Sequence, residues 1–243
     1  MNPRRARRGC GPRALIVALV LLACLVVVAD RVAEAVAEDR LATRAQQEAA
    51  RYDVKGERPD VEIGGTGFLP QLARGEFKSV TMTMKQPRIS SVPVDDLTVA
   101  MSGIQVPREL LTGGGSGTIT ADTANMRVRM SPESLTRLAV RTSGLEGLTL
   151  HVVDGKLQAR VMIQDIQANA TVQPQVVDGR IRLTVNDLGA GVPVTVKDAL
   201  NTMLSGGFEV PQLPFGAKLR QFSVQGDTII LVAGANDVEL SRA

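Results

Sequence analysis

The side chains that most often do chemistry in proteins are few in this sequence and lie far apart. His151 is the only histidine, and it stands in an alternating run that predicts a strand with the imidazole on its polar face. Asp95 and Asp96 are neighbours, so on a strand their carboxylates would point to opposite faces and could not form an acid/base or metal-binding pair. We predict instead that both lie in a solvated turn.

Two further patterns carry chemistry in other proteins. Cys10 and Cys24 are the only cysteines, which leaves the chain beyond residue 24 without a thiol for a disulfide, a zinc site or a nucleophile. The glycine-rich segment 113–117 precedes a strand-like sequence and no Lys-Ser/Thr pair, so we predict a flexible turn and not a phosphate loop. The sequence also lacks the usual serine hydrolase motifs. These patterns indicate a binding protein and not an enzyme, with no catalytic residues, no metal site and no cofactor.

The positive charge of the chain is concentrated at its N-terminus. Of the 28 basic residues in the 243-residue chain, five lie before residue 30, where there is no acidic residue, and the remaining 23 are outnumbered by 25 acidic residues. Aromatic residues make up only 2% of the chain. Nucleic-acid binding needs a basic face and commonly stacking rings. The composition therefore argues against nucleic acid as a partner.

The basic N-terminus leads into an uncharged apolar run from Ala14 to Ala29. As a helix this run would be ~24 Å long, against a hydrocarbon layer of ~30 Å. Basic residues before such a run stay in the cytoplasm, so the rest of the chain emerges on the outer side. We predict a single retained anchor in the plasma membrane with an extracytoplasmic body.

Two alternatives to a retained anchor are open. The small residues Ala33, Ala35 and Ala37 could direct cleavage of a signal peptide, which would release the body into the envelope. Cys24 could instead be lipidated, because Leu21 to Cys24 is similar to a lipobox, although residues 25–29 stay apolar where a lipoprotein normally turns polar.

The chain divides into three predicted parts. Residues 1–29 form the basic N-terminus with the signal peptide or anchor, residues 30–59 an alanine-rich charged helix and a connection, and residues 60–243 a β-rich domain. In this domain apolar and polar residues alternate, which predicts half-buried strands over residues 78–85, 97–101, 118–121 and 126–130. Asp-Gly pairs at 154–155 and 178–179 predict tight hairpins, and Gly226-Asp227 predicts a weaker one.

Two short helices are predicted within the β-rich domain. The first begins at Ser131-Pro132-Glu133 and buries Leu135 and Leu138. The second begins at a capping box, Thr195–Asp198, and places three apolar side chains on one face: Leu200, Met203 and Leu204. The predicted fold is therefore α+β, a long curled antiparallel β-meander packed on these two helices.

The segment Val61–Leu72, with Phe68 and Leu69 after its glycines, is followed by Gly75 and the alternating residues 80–84. Together they resemble the opening motif of the LmeA-like family of actinobacterial cell-envelope proteins. The resemblance extends to the helix at 30–41, the Asp-Gly hairpins and the segment 213–216. It implies a tubular lipid-binding fold, phospholipid as ligand on the outer side of the plasma membrane, and a part in envelope lipid or lipoglycan homeostasis such as lipomannan elongation. It implies no catalytic residues.

An aliphatic, methionine-containing interior with few rings suits disordered acyl chains. The candidate lipid contacts are the apolar faces of the two helices and five large residues in glycine- or proline-rich segments: Leu135, Leu138, Leu200, Met203, Leu204, Phe68, Leu69, Phe208, Leu213 and Phe215. The last five could equally plug the ends of the sheet. The alternative function is a structural or scaffolding protein of the envelope that contacts an unidentified partner enzyme without holding lipid.

Overall fold

The computed structural model describes residues 12–111, 117–143, 147–163, 166–188, 198, 202, 204, 206–210 and 213–242. It begins with helix α1, Pro12–Arg51, whose 40 residues correspond to a rod ~60 Å long. The apolar run and the alanine-rich charged segment thus belong to one continuous helix, and residue 29, which ends the first predicted part, lies inside it.

Three further α-helices are α2 (Phe68–Arg74), α3 (Arg108–Leu111) and α4 (Pro132–Ser143), and a 3-10 turn spans Pro214–Gly216. The strands are β1 (Val54–Lys55), β2 (Asp60–Gly64), β3 (Glu76–Lys85), β4 (Arg88–Ile89), β5 (Val92–Pro93), β6 (Asp96–Gln105), β7 (Thr118–Met130), β8 (Thr149–Val153), β9 (Lys156–Ile163), β10 (Ile166–Val177), β11 (Arg180–Leu188), β12 (Phe208–Glu209), β13 (Lys218–Gln225) and β14 (Thr228–Arg242).

The strands form three antiparallel sheets. Their orders are β1-β4-β5, β12-β11-β10-β9-β8 and β13-β14-β7-β6-β3-β2. The α+β class is confirmed, and the alternating segments are all strands. The strands do not run as one uninterrupted meander, because β7 pairs on one side with β6 and on the other with the C-terminal strand β14, and not with the next strand in sequence, β8.

The predicted hairpins are confirmed. Asp154 and Gly155 both have positive φ, as do Asp178 and Gly179, which is the requirement of a type I′ turn. They join β8 to β9 and β10 to β11 in direct register. Gly226 has positive φ and joins β13 to β14.

Helix α4 follows its sequence signals closely. The Ser131 hydroxyl accepts a hydrogen bond from the backbone N–H of Ser134 at 3.3 Å, and Leu135 and Leu138 are buried. Hydrogen bonds from the Ser131 side chain and from the backbone N–H of Glu133 itself also hold the pKa of the Glu133 carboxyl below its usual range, and the guanidinium of Arg137 adds to the effect.

The second predicted helix is seen only in part. Asp198, Thr202 and Leu204 are helical, and the Thr202 hydroxyl donates to the carbonyl oxygen of Asp198 at 2.8 Å. The rest of the predicted capping box, Leu200 and Met203 lie outside the described residues, as does the glycine-rich segment up to residue 116.

Helix α2 was not predicted, because Gly67 and Pro70 around its start are typical of loops. Both are compatible with a helix here. Gly67 is the N-cap residue, with a positive φ of 75°, and a proline in the first helical turn loses no hydrogen bond, since its N–H would have no partner within the helix.

The interior contains two hydrophobic cores. The first packs α4 against the five-stranded sheet and includes Leu135, Leu204 and Phe208. The second packs α1 and α2 against one end of the six-stranded sheet and includes Ala42 and Phe68. The space between these cores is where the candidate site lies.

Candidate functional site

One face of the six-stranded sheet is apolar across five of its strands. The first row crosses the sheet from β3 to β13 through residues that pair directly between neighbouring strands: Met82, Val99, Met126, Ala233 and Leu219. A second row pairs Met84, Leu97, Val128 and Leu231 in the same way. Because side chains alternate across a strand, these rows share one face. Together they form the floor of a cavity.

The roof of this cavity comes from four other parts of the chain. They are the last turns of α1, the three-stranded sheet β1-β4-β5 with the residues beside it, α4, and the segment before β13. The residues that form the roof are Ala45, Glu48, Ala49, Tyr52, Val54, Pro59, Ile89, Val92, Val94, Leu138, Val210, Leu213, Pro214 and Phe215. Met130 completes the lining. The cavity therefore lies between sheet and helices and draws its walls from both cores.

The lining is almost free of charge. Glu48 is the one ionisable carboxylate and Tyr52 the one phenol among the cavity-lining residues that the structure describes. Four of the lining side chains are methionines, whose unbranched thioethers conform to irregular shapes. The volume of the cavity is about 210 Å³. This exceeds the ~150 Å³ of an apolar cavity that accepts benzene and falls below the ~300–1,000 Å³ of typical ligand pockets.

Phe215 is held at the cavity by an unusual backbone. Its φ is 60° inside the 3-10 turn, a conformation that costs a residue with a β-carbon about 1–3 kcal/mol and that persists only where the surroundings enforce it. The ring of Phe215 is half-buried and packs against the second core. Strain of this kind is concentrated at functional sites.

Buried polar contacts position α1 over the sheet. The Asp30 carboxylate accepts hydrogen bonds from the backbone N–H of Leu69 at 2.6 Å and of Phe68 at 3.0 Å. Gly67 has no side chain to cap α2, so Asp30 provides the cap from another helix. These two hydrogen bonds hold the pKa of the Asp30 carboxyl below its ordinary value of 3.8.

Further along α1, Glu38 closes the open edge of the sheet. Its Oε1 accepts a hydrogen bond from the backbone N–H of Ile63 on edge strand β2 at 2.9 Å. Arg58 forms an ion pair with Asp39 at 2.7 Å and also donates to its carbonyl oxygen. Gln46 also donates a hydrogen bond to the carbonyl oxygen of Gly56 at 3.4 Å. The helix is thus attached to the body at several points between residues 30 and 46.

The predicted contact residues have different positions. Leu138, Leu213 and Phe215 line the cavity. Leu135, Leu204, Phe208 and Phe68 are buried in the cores, and Leu69 is exposed on α2. The sheet methionines and the α1 residues of the lining are not among the contacts predicted from the sequence. The alternation at 82–84 and 126–130 is the available signal, and it predicts only an apolar face.

The polar candidates do not come together. His151 lies on the same face of β8 as the exposed Thr149 and Val153, as predicted, but its Nε2 is covered and has no hydrogen-bond partner among the described residues. Asp95 is exposed, and Asp96 opens β6 and pairs with Arg129 at 3.3 Å. Over the described parts of the chain, no group of three His, Cys, Asp or Glu residues could hold a metal ion.

Helix α1 exposes its apolar side chains around its whole circumference. Leu19, Val20, Leu21 and Leu22 are consecutive and each is 55–64% exposed. None of the helices, as far as the structure describes them, is long and apolar enough to cross a membrane.

Comparison with known proteins agrees with this architecture. Neither a curated protein nor a solved structure matches the sequence. Residues 28–234 match the family described as LmeA-like phospholipid-binding, and this range includes the described residues of the cavity lining, of the first core and of most of the second core. The chain therefore belongs to the LmeA-like phospholipid-binding family.

Proposed function

We propose that this protein binds a phospholipid by taking part of an acyl chain into the cavity between the six-stranded sheet and α1. The observation that carries the proposal is the cavity lining, which consists almost entirely of hydrocarbon and thioether groups. Burying acyl methylenes there is favourable by about 0.8 kcal/mol each. A volume of about 210 Å³ accommodates a segment of one chain, so the headgroup and the rest of the lipid remain at the mouth.

We further propose that the protein works on the outer side of the plasma membrane, tethered by α1. Apolar side chains on all sides of a solvent-exposed helix are unfavourable in water and suit a lipid environment. The arginines before the apolar run favour a cytoplasmic N-terminus. A tethered lipid-binding body fits a role in envelope lipid or lipoglycan homeostasis.

The proposed activity is binding without a catalytic step. Glu48 at the cavity is partnered by Arg51 at 3.2 Å on the exposed side of α1. His151 belongs to β8 and is not among the residues that line the cavity. A general acid or base must reach the reacting atom within hydrogen-bonding distance, and these positions do not offer that to a lipid in the cavity.

A cavity-filling variant tests lipid binding directly. Ala49 lines the cavity, whereas Ala50, the next residue of α1, is exposed. In Ala49→Phe the ring occupies space that acyl carbon would use, so we expect the Kd for phospholipid to rise at least about tenfold, or ~1.4 kcal/mol. Ala50→Phe is the matched control and should bind as the natural protein does. Equal affinity of both variants for lipid in vesicle-extraction assays would place the ligand elsewhere.

A further inference from the structure

Helix α1 connects the apolar segment to the cavity without an interruption. It runs unbroken from Pro12 to Arg51, with the exposed apolar residues in its first half and the cavity-lining residues Ala45 and Ala49 near its end. Between them it is attached to the body through Asp30, Glu38 and Asp39. A helix attached at several points along its length cannot pivot freely at one joint, so the cavity has a fixed position along the helix axis.

The distance between the two ends follows from helix geometry. At ~1.5 Å per residue, Ala45 lies ~22 Å and Ala49 ~28 Å beyond Asp30, where the apolar run ends. Val32 and Val36 are also exposed, among charged residues such as Arg31 and Glu34. This mixture suits the headgroup layer. If the headgroup layer extends to Val36, Ala45 still lies ~13 Å beyond it along the helix axis. At the extreme helix tilt of ~40° this distance is ~10 Å along the membrane normal.

The composition of the helix surface opposes a flat position on the membrane. A helix that lies in the interface needs one polar face, and the consecutive residues Leu19 to Leu22 are all apolar and all exposed. Successive residues are ~100° apart around the axis, so these four cover nearly the full circumference. Insertion along the helix axis is the arrangement that buries all of them.

We propose that α1 is a rigid spacer that holds the cavity above the anchoring bilayer, so that the protein exchanges phospholipid with a second lipid surface opposite that bilayer. The inference rests on the proposed lipid binding and tethering. A lipid of the anchoring membrane would have to cross the gap with its methylenes in water, which is unfavourable for every methylene exposed. A lipid surface at the height of the cavity avoids this crossing.

The exposed apolar residues outside α1 do not identify a stable docking partner. On described residues they are Leu69, Leu111 and Val153. They lie on three separate elements, α2, α3 and β8. Contiguous apolar patches mark docking sites for proteins and membranes alike, so the exchange partner is inferred from the chemistry of the cavity lining and not from these positions.

The chain contains its own probe for this arrangement. Tyr52 is the only tyrosine and there is no tryptophan, and Tyr52 lines the cavity. Its fluorescence would be quenched by a phospholipid with a brominated acyl chain that enters the cavity. The full-length protein is reconstituted in vesicles of phosphatidylethanolamine and phosphatidylglycerol, and brominated lipid is placed either in these vesicles or in separate ones added later.

We expect brominated lipid in the added vesicles to reduce Tyr52 fluorescence, and the same lipid in the anchoring vesicles to leave it unchanged over the same time. Equally fast quenching by the anchoring vesicles would overturn the spacer inference. Quenching by neither would overturn the proposed lipid binding, and this inference with it. A fluorophore on Cys24 in a Cys10→Ser chain tests the tether separately, because brominated lipid in the anchoring bilayer should quench it, and an unquenched label would show that α1 is not inserted.

Two insertions between Ala29 and Asp30 test whether the rigidity of α1 sets the position of the cavity. A ten-residue Gly-Ser segment is flexible, whereas two Glu-Ala-Ala-Ala-Lys repeats form a mostly helical spacer of the same residue number. The flexible segment should let the body reach its own bilayer and make Tyr52 sensitive to brominated lipid in the anchoring vesicles. The helical insertion should not. If both insertions behave alike, the stiffness of α1 does not set the position of the cavity.

Discussion

Asp30 is the residue that joins the N-terminal helix to the β-rich body. A single carboxylate accepts hydrogen bonds from two successive backbone N–H groups at the start of α2, a position where anionic acceptors are favoured by the exposed amides. An asparagine has only one acceptor oxygen, and its NH₂ group would oppose the second N–H. The two hydrogen bonds therefore require the ionised aspartate.

This requirement predicts an acid-dependent stability. The pKa of the Asp30 carboxyl is near 3.8 in the unfolded chain and lower in the folded protein. The contribution of the carboxylate to the free energy of unfolding is therefore complete above pH ~3.8 and is lost as the pH falls through the pKa of the folded state. We expect Asp30→Asn to lower the melting temperature at pH 7, and the difference from the natural protein to shrink below pH ~3.8. Thermal unfolding followed by circular dichroism at several pH values measures this.

The control for this prediction is Glu62→Gln. Glu62 is exposed on β2, so its substitution removes the same charge without removing a cap and should leave the melting temperature at pH 7 nearly unchanged. A difference between Asp30→Asn and the natural protein that is equally large at pH 7 and at pH 2 would show that the ionised carboxylate is not its source.

The residues that line the cavity were only partly predictable from the sequence, and which of them contact lipid stays a prediction. Phe68 and Phe208 are the kind of large apolar side chain expected at a pocket, yet both are buried in the cores, because large rings release the most free energy when they are fully removed from water. The cavity is lined instead by methionine, valine and leucine side chains of the sheet. Alternation predicts that such residues lie on the apolar face of the sheet. It does not indicate which of them are covered by other side chains of the core and which face a cavity.

At the scale of elements, local patterns were sufficient for most of the fold. Period-two alternation identified β3, β6 and β7, Asp-Gly pairs two of the hairpins, and Ser131 with Pro132 the start of α4. Helix α2 was missed for two reasons: Gly67 and Pro70 are typical of loops, and its cap, Asp30, lies 38 residues from Phe68 in sequence. No local signal can report a cap that comes from another helix.

Gly103 in the middle of β6 has a backbone conformation that residues with a β-carbon rarely adopt. Its φ is +61°, and the register of β6 with β7 is the same on both sides of it, from Ser102–Thr123 to Ile104–Ala121. A glycine inside a strand often marks a place that another group approaches closely. A β-carbon added here would lie 2.0 Å from Oδ2 of Asp122.

We therefore expect Gly103→Ala to destabilise the protein by about 2–4 kcal/mol, from the left-handed backbone and the contact with Asp122 together. Gly179→Ala separates the two effects, since Gly179 also has positive φ, 75°, but a β-carbon there meets nothing within 4 Å. It should cost only about 1–2 kcal/mol. Urea unfolding of both variants measures the difference, and equal losses would show that the contact with Asp122 is relieved without cost.

At the scale of the whole molecule, the sequence predicted the α+β fold class but not which distant strands pair with each other. The pairing of β7 with β14 joins residues more than 100 positions apart, such as Met126 and Ala233, and nothing local specifies that partner. The cavity depends on this pairing, because both rows of its floor continue from β7 into β14. It is a property of tertiary structure that alternation and capping signals do not contain.

The two predicted functions, lipid carriage and lipid-free scaffolding, differ in one property of the whole protein. A cavity lined by apolar side chains and open to solvent leaves hydrocarbon in contact with water unless a ligand covers it. We therefore expect native mass spectrometry of the gently extracted full-length protein to show a bound phospholipid, and Ala49→Phe to show much less of it. Returning lipid to the stripped protein at 100 times its Kd should raise the free energy of unfolding by about 2.7 kcal/mol. A lipid-free spectrum, together with unchanged stability after lipid addition, would favour the scaffolding protein, in which α1 and the sheets serve only as a support.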